Sequence, residues 1–147
     1  MSTHANRAPR ILLIEDNPAD ARLVKECLCD RMPSAELMVA KDGEEGLRML
    51  KDGADSRRPL PDIVLLDLNM PRMSGHEVLR EIKHDPELRS LPVIVLTSSG
   101  YEADIRMAYE MQASSYVVKP RNLEELEAAI GSIMNFWFGS ARLPERK

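Results

Sequence analysis

The sequence predicts an α/β fold, a doubly wound parallel sheet of five strands carrying helices on both faces. Three observations predict it. Five short runs rich in apolar residues (Ile11 to Ile14, Ala35 to Ala40, Ile63 to Leu66, Pro92 to Leu96 and Ser115 to Val118) alternate with longer stretches of helical period. The central run, Ile63-Val64-Leu65-Leu66, has no polar position at all, as a strand covered on both faces requires. Four of the runs stop on polar groups: Glu15-Asp16, Asp67, Thr97 and Lys119. Sheets of this kind hold their ligand chemistry just beyond the carboxyl ends of the strands.

Each element follows from local chemistry. Residues Met1 to Pro9 carry no apolar period and read as a frayed tail. The first strand ends on Glu15-Asp16-Asn17-Pro18, where asparagine and proline suit the start of a helix over Ala19 to Asp30, with Ala21, Leu23, Val24 and Leu28 at helical spacing. The second run is shorter and more mixed, as an edge strand would be. Asp42-Gly43 opens a helix through Leu47 and Leu50, closed by Lys51-Asp52-Gly53 with glycine in the usual C-terminal place. Ala54 to Pro61 is then a polar surface loop.

After Asp67 the turn Met70-Pro71-Arg72-Met73-Ser74-Gly75 leads into a helix with Val78, Leu79 and Ile82, ending before Asp85-Pro86. The fourth strand ends on Thr97-Ser98-Ser99-Gly100, and a helix from Glu102 to Gln112 follows. The fifth strand ends on Lys119-Pro120. The last helix starts at an Asn122 cap, with Glu124 and Glu125 in the first turn where the helix dipole favours them. Its apolar stripe is Leu123, Leu126, Ile130, Ile133 and Trp137, and Met134, Phe136 and Phe138 fall off it. The expected organisation is a tail over 1–9, one domain over 10–138 and a tail over 139–147.

Five βα units in sequence point to a flavodoxin-like (βα)5 sheet of order 2-1-3-4-5 with right-handed crossovers. That order sets strands one and three side by side, so Glu15, Asp16 and Asp67 converge, with Thr97 and Lys119 flanking them.

Composition narrows the functional classes. The chain is 44% hydrophobic and 30% charged with a net charge of -4, which argues against a nucleic-acid surface. No 18-residue apolar run and no charged-then-apolar leader is present, so the expectation is a cytoplasmic protein without a membrane partner. Cys27 and Cys29, two apart on a helix, face different directions and cannot bridge. His4, His76 and His84 form no cluster with them at metal-ligand spacing. The Gly-x-x-x-x-Gly-Lys-Ser/Thr run of nucleotide enzymes does not occur.

The rim residues carry a specific chemistry. Three neighbouring carboxylates repel by roughly 4 kcal/mol per pair at about 4 Å in a partly screened site, so a cation belongs among them. Magnesium suits a site with few protein oxygens, the backbone carbonyl of Asn69 being one more, and leaves positions for water and phosphate. A carboxylate nucleophile, Mg2+, a hydroxyl and a lysine in one place serve phosphoryl transfer to the carboxylate. Asp67 attacks phosphorus, Mg2+ and the Lys119 ammonium neutralise the phosphoryl oxygens, and Thr97 donates a hydrogen bond to one of them. Taken singly, each residue reads as a cap, a turn acid or a solvated strand end; their conjunction at four strand ends favours the chemical reading.

The strand ends Glu15-Asp16-Asn17, Asp67-Leu68-Asn69-Met70-Pro71, Thr97-Ser98 and Tyr116-Val117-Val118-Lys119-Pro120 together resemble the receiver domain of two-component response regulators, from Ile11 to Ile133. The resemblance implies that Asp67 is the phosphoacceptor, that Glu15 and Asp16 hold Mg2+ directly or through water, and that Asn69 gives its carbonyl. It implies a histidine kinase as partner, and a proline after Lys119 that is often cis. It also implies a switch in which Thr97 is drawn to the phosphoryl group and Tyr116 turns inward, remodelling the face of the fourth helix, fifth strand and fifth helix. Ser99 and Asn69 fall where family members tune dephosphorylation. The length and the Phe136-Trp137-Phe138 ending are similar to single-domain regulators paired with phytochrome-type kinases. In those the last helix is associated with homodimers, which would place Met134, Phe136, Trp137 and Phe138 at a dimer contact, while packing of the three aromatics back on their own domain is an equal alternative.

Two other readings compete. A small aspartate-nucleophile phosphatase would want a general acid two residues past Asp67, where this chain has Asn69. A phosphorylation-independent receiver-like scaffold would have no need to retain the acids, Thr97 and Lys119. The reading adopted is a phosphoryl-accepting signalling module rather than an enzyme.

Overall fold

In a computed structural model describing residues 8–54 and 59–145, ten elements alternate along the chain: β1 (Arg10–Ile14), α1 (Pro18–Arg31), β2 (Glu36–Ala40), α2 (Gly43–Ala54), β3 (Ile63–Leu66), α3 (Gly75–His84), β4 (Val93–Thr97), α4 (Glu102–Glu110), β5 (Ser115–Val118) and α5 (Leu123–Asn135). A single π-helical turn, Phe136–Ser140, continues α5. Most of the tail expected over 1–9, the centre of the loop expected over 54–61 and the last two residues lie outside the described residues.

The strands form one parallel sheet in the order β2-β1-β3-β4-β5, as the sequence predicts. Alternation along the strands splits the core into two layers. Leu12, Ile14, Val64, Leu66, Val93 and Val95 face Leu47 and Leu50 of α2 and Val78, Leu79 and Ile82 of α3. Ile11, Leu13, Ile63, Leu65, Ile94 and Leu96 face Val24, Cys27 and Leu28 of α1 and Leu126, Ile130, Ile133 and Met134 of α5. The inner strands β1, β3 and β4 are therefore buried on both sides except at Arg10. Each large aliphatic side chain so buried contributes about 1.5–3 kcal/mol.

Four of the five described α-helices, all but α4, start where side-chain oxygens meet free amides. Asn17 Oδ1 accepts from Asp20 N at 3.0 Å, with Pro18 in the first helical position. Ser74 Oγ accepts from Glu77 N at 3.3 Å and Asn122 Oδ1 from Glu125 N at 2.8 Å. Asp42 Oδ1 accepts from Glu45 N at 2.8 Å.

Several expectations are corrected. α2 runs on to Ala54 with Gly53 buried inside it, so that glycine does not close the helix. α4 stops at Glu110 because Gln112 adopts φ 71°, a left-handed conformation that a right-handed helix cannot contain. Leu123, placed on the inner stripe of α5, is 51% exposed, and Leu23 of α1 is 39% exposed. The buried stripe of α5 instead includes Met134, eight residues after Leu126, which rules Met134 out as a surface dimer contact. Of the two placements open to the aromatic ending, Trp137 and Phe138 take packing on their own domain: both are half-buried against the α1/α5 layer, as is Leu143. Only Phe136 of that trio is exposed, edge-on to Trp137 at 5.1 Å between centroids. The Lys119–Pro120 bond, whose isomer the sequence leaves open, is trans.

Candidate functional site

Strand register builds the site. Ile14 is paired with Leu66, and one residue further Asp67 N donates to Ile14 O at 3.1 Å. Glu15 N donates to Ala40 O at 3.0 Å. On the other side of β3, Lys119 N donates to Thr97 O at 2.7 Å. The ladders thus continue one residue past the strands and fix the main chains of the very residues that carry the chemistry.

Glu15 and Asp67 are buried, at 2% and 6% exposure, and Asp16 is half-buried at the mouth. One carboxylate oxygen from each of Glu15, Asp16 and Asp67 lies within 4.8 Å of the others. Lys119 faces this cluster: its ammonium hydrogen-bonds Glu15 Oε1, lies 3.1 Å from Asp20 Oδ2 and stands 3.9 Å from Asp67 Oδ2. Asn17 N donates to the other Glu15 oxygen at 3.2 Å.

Electrostatics follow from that packing. Burial pushes the Glu15 carboxyl up to about 7, the neighbouring Asp67 adds to the rise, and the Lys119 hydrogen bond opposes it. For Lys119, burial works to lower the pKa, but Glu15, Asp67 and Asp20 together outweigh it and hold the ammonium above its ordinary range. Without a further cation, three acids draw on one ammonium.

The other wall is made by β4 and β5. Thr97 is fully buried. Among the described residues, Thr97 Oγ1 and Asp67 Oδ1 are buried side-chain atoms with no hydrogen-bond partner. Such atoms are costly unless a ligand or ion meets them. Tyr116, half-buried, donates from its hydroxyl to Ser99 O at 2.9 Å, and burial raises its pKa. The Ser99 hydroxyl donates to Asp104 Oδ2 at 2.5 Å, and the ring of His76 stands 3.3 Å from the Asp104 carbonyl. The β4–α4 loop is thereby tied to β5 and α4, and α4 in turn to α3.

A divalent metal ion fits this donor set. Three hard oxygen donors converge, one of them with an unpartnered oxygen, and few other protein ligands crowd the mouth, which is the arrangement oxygen-seeking dications accept.

The residues singled out in the sequence are therefore brought together at Glu15, Asp16, Asp67, Thr97 and Lys119, with Tyr116 hydrogen-bonded to the loop after Thr97. Asn69 lies two residues beyond Asp67 in the following loop with its side chain exposed. Two polar partners escaped the sequence reading, Asp20 on Lys119 and Asp104 on Ser99. Asp20 stands in the first turn of α1, three residues after its cap, and that spacing from Asn17 is the signal the sequence offers for it. Nothing local marks Asp104.

A family profile for the response regulator receiver domain matches residues 11–131. The chain is 41% identical over 145 residues to response regulator Rcp1 of Synechocystis sp., covering 98% of this chain and 99% of that one. Among solved structures, the phosphorylated cyanobacterial phytochrome response regulator RcpA is 39% identical with a TM-score of 0.88, the match covering 95% of this chain and all of RcpA. The Mn2+-bound form of Rcp1 is 40% identical with a TM-score of 0.84, over 93% of this chain and 99% of that one.

Proposed function

This chain belongs to the response regulator receiver domain family, and from that premise we propose that Asp67 accepts a phosphoryl group from a partner histidine kinase in a Mg2+-dependent reaction. The observation that carries this reading is the buried Asp67 carboxylate, one oxygen of which has no partner while the other stands 3.9 Å from the Lys119 ammonium, beside two further acids.

The residues divide the work. A carboxylate oxygen of Asp67 attacks phosphorus, forming the new O–P bond as the bond to the donor breaks and the leaving group keeps its electron pair. Lys119 stabilises negative charge on the phosphoryl oxygens, and the free Thr97 hydroxyl donates to one of them. Glu15, Asp16 and Asp67, with the Asn69 carbonyl, would hold Mg2+, which supplies further charge neutralisation when bound. Burial of Glu15, Asp67 and Thr97 keeps water from competing for these contacts.

The acyl phosphate so formed carries about -1.5 to -2 charges where the carboxylate carried one, and this biases the loop holding Thr97 and Ser99. Tyr116 reads that loop through the Ser99 carbonyl. The output is a changed surface on α4, β5 and α5 offered to another protein. The similarity to RcpA and Rcp1 supports a phytochrome-type kinase as donor. The composition supports a cytoplasmic protein without nucleic acid, and no helix among the described residues is long and apolar enough to cross a membrane. Homodimer formation through the end of α5 is supported by the exposed Phe136 ring.

The test is incubation with acetyl phosphate and Mg2+, with intact mass read before and after for wild type and Asp67→Asn. A gain of one phosphoryl mass in wild type alone is expected. Unmodified wild type, under conditions that label a control receiver, overturns the reading.

A further inference from the structure

Lys119 is shared among more carboxylates than phosphoryl transfer requires. Its nearest partners are Glu15 and, at 3.1 Å, Asp20, while Asp67 is the farthest of the three at 3.9 Å. Asp20 is outside the group of three acids whose oxygens converge for a cation. It sits in the first turn of α1, which is anchored to Glu15 by the amide of Asn17 and capped by the Asn17 side chain. Its position relative to Glu15 is thus set by the start of the helix. The Asp20 side chain is 42% exposed, against 10% for Lys119, and borders a cleft shared with Leu23, Ser98 and Leu123.

We infer that Asp20 is a positioning residue that holds the Lys119 ammonium back from Asp67 in the unphosphorylated protein, and so competes with the incoming phosphoryl group for it. This rests on the reading of Asp67 as phosphoryl acceptor. A cation drawing on Glu15 weakens the Glu15 hydrogen bond to Lys119, and Asp20 then becomes the carboxylate that Lys119 must leave. Arrival of the phosphoryl group increases negative charge at Asp67 and pulls the ammonium toward it. Removing the Asp20 charge acts twice in the same direction: the ammonium is released, and one anion repelling the phosphoryl group is gone. Asp20 is half-exposed, so the effect is a modest one set by a partly screened ion pair.

The experiment compares wild type, Asp20→Asn, Asp20→Ser and Asp20→Glu in saturating Mg2+, using calorimetric titration with beryllofluoride, a phosphoryl mimic, alongside labelling by acetyl phosphate. Asp20→Asn and Asp20→Ser are expected to bind beryllofluoride about two- to fivefold more tightly, the range a half-exposed pair supports, and the gain should shrink in high salt. Asp20→Glu keeps the carboxylate and returns the affinity toward wild type. A purely structural role for Asp20 would not produce tighter binding that a carboxylate reverses. Unchanged or weaker affinity in the two neutral variants, with wild type binding normally, overturns the positioning role and leaves the proposed function intact. Wild type that neither binds beryllofluoride nor takes a phosphoryl group overturns that function, and the inference with it.

Discussion

Gly75 stands directly against the main chain of Asp67: a Cβ at that position would lie 2.2 Å from the Asp67 carbonyl oxygen and 2.6 Å from Leu68 Cα. The Gly75 amide also donates to Leu68 O at 2.9 Å, so the start of α3 and the end of β3 are locked together. Gly75→Ala is therefore expected to cost about 3 kcal/mol, at the upper end of overpacking, because the crowded atoms are backbone and cannot rotate away. Urea unfolding midpoints check this. A loss under about 1 kcal/mol would mean that the junction yields more easily than its packing implies.

The acid cluster predicts linkage between metal and stability. Mg2+ at a hundredfold its dissociation constant should stabilise wild type by about 2.7 kcal/mol, and a chelator should remove the gain. Asp67→Asn, lacking one charged ligand, should gain less at the same concentration. Thermal melts with and without Mg2+ decide it, and equal shifts in both proteins would place the ion elsewhere.

Asp42 supplies a pH dependence. The Glu45 amide and then Arg72, whose Nη2 lies 3.1 Å from Asp42 Oδ2, hold its carboxyl below the ordinary value of 3.8. A lowered folded-state pKa contributes stability that is present above the unfolded value and lost as pH falls through the folded one. Asp42→Asn keeps a capping oxygen but loses the charge. It should cost up to about 1 kcal/mol at neutral pH, with the difference closing below pH 3.8. Denaturant midpoints across that range test the sign.

Tyr116→Phe deletes one hydrogen bond, from the ring hydroxyl to the Ser99 carbonyl. The expected loss is about 0.5–1.5 kcal/mol, together with faster amide exchange in the loop from Ser98 to Tyr101. Unchanged exchange there would disconnect Tyr116 from the loop it is proposed to read.

The end of α5 separates packing from association. Trp137→Ala removes a ring packed on the α1/α5 layer and should cost about 1–3 kcal/mol, less than the roughly 3–5 of a fully buried aromatic. Phe136→Ala, on the exposed side, should change stability by no more than about 0.5 kcal/mol. If the proposed dimer forms there, light scattering should show wild type heavier than Phe136→Ala. Equal monomeric masses would remove the dimer.

Much of the fold is legible in the sequence. Unbroken apolar runs such as Ile63 to Leu66 can be satisfied only between two helical layers, and alternation with helical stretches demands parallel strands in a right-handed winding. The capping residues Asn17 and Asn122 announced themselves by type. What misled was phase near helix ends. Helical spacing puts Leu123 on the α5 stripe and Met134 off it, whereas Met134 is buried and Leu123 exposed, and nothing in Phe136-Trp137-Phe138 signals the π turn in which two of the three are half-buried.

Residue types and their order determined that acids, a hydroxyl and an ammonium would meet at one edge of the sheet, because strand ends in a doubly wound fold share an edge whatever the details of packing. Tertiary structure alone decided how the single ammonium is divided among Glu15, Asp20 and Asp67, and which buried oxygens remain without partners. Those outcomes depend on sub-ångström balances of burial, charge and helix placement between residues as much as 104 positions apart. No local pattern encodes such balances, since they arise only when the sheet brings distant segments into one low-dielectric space.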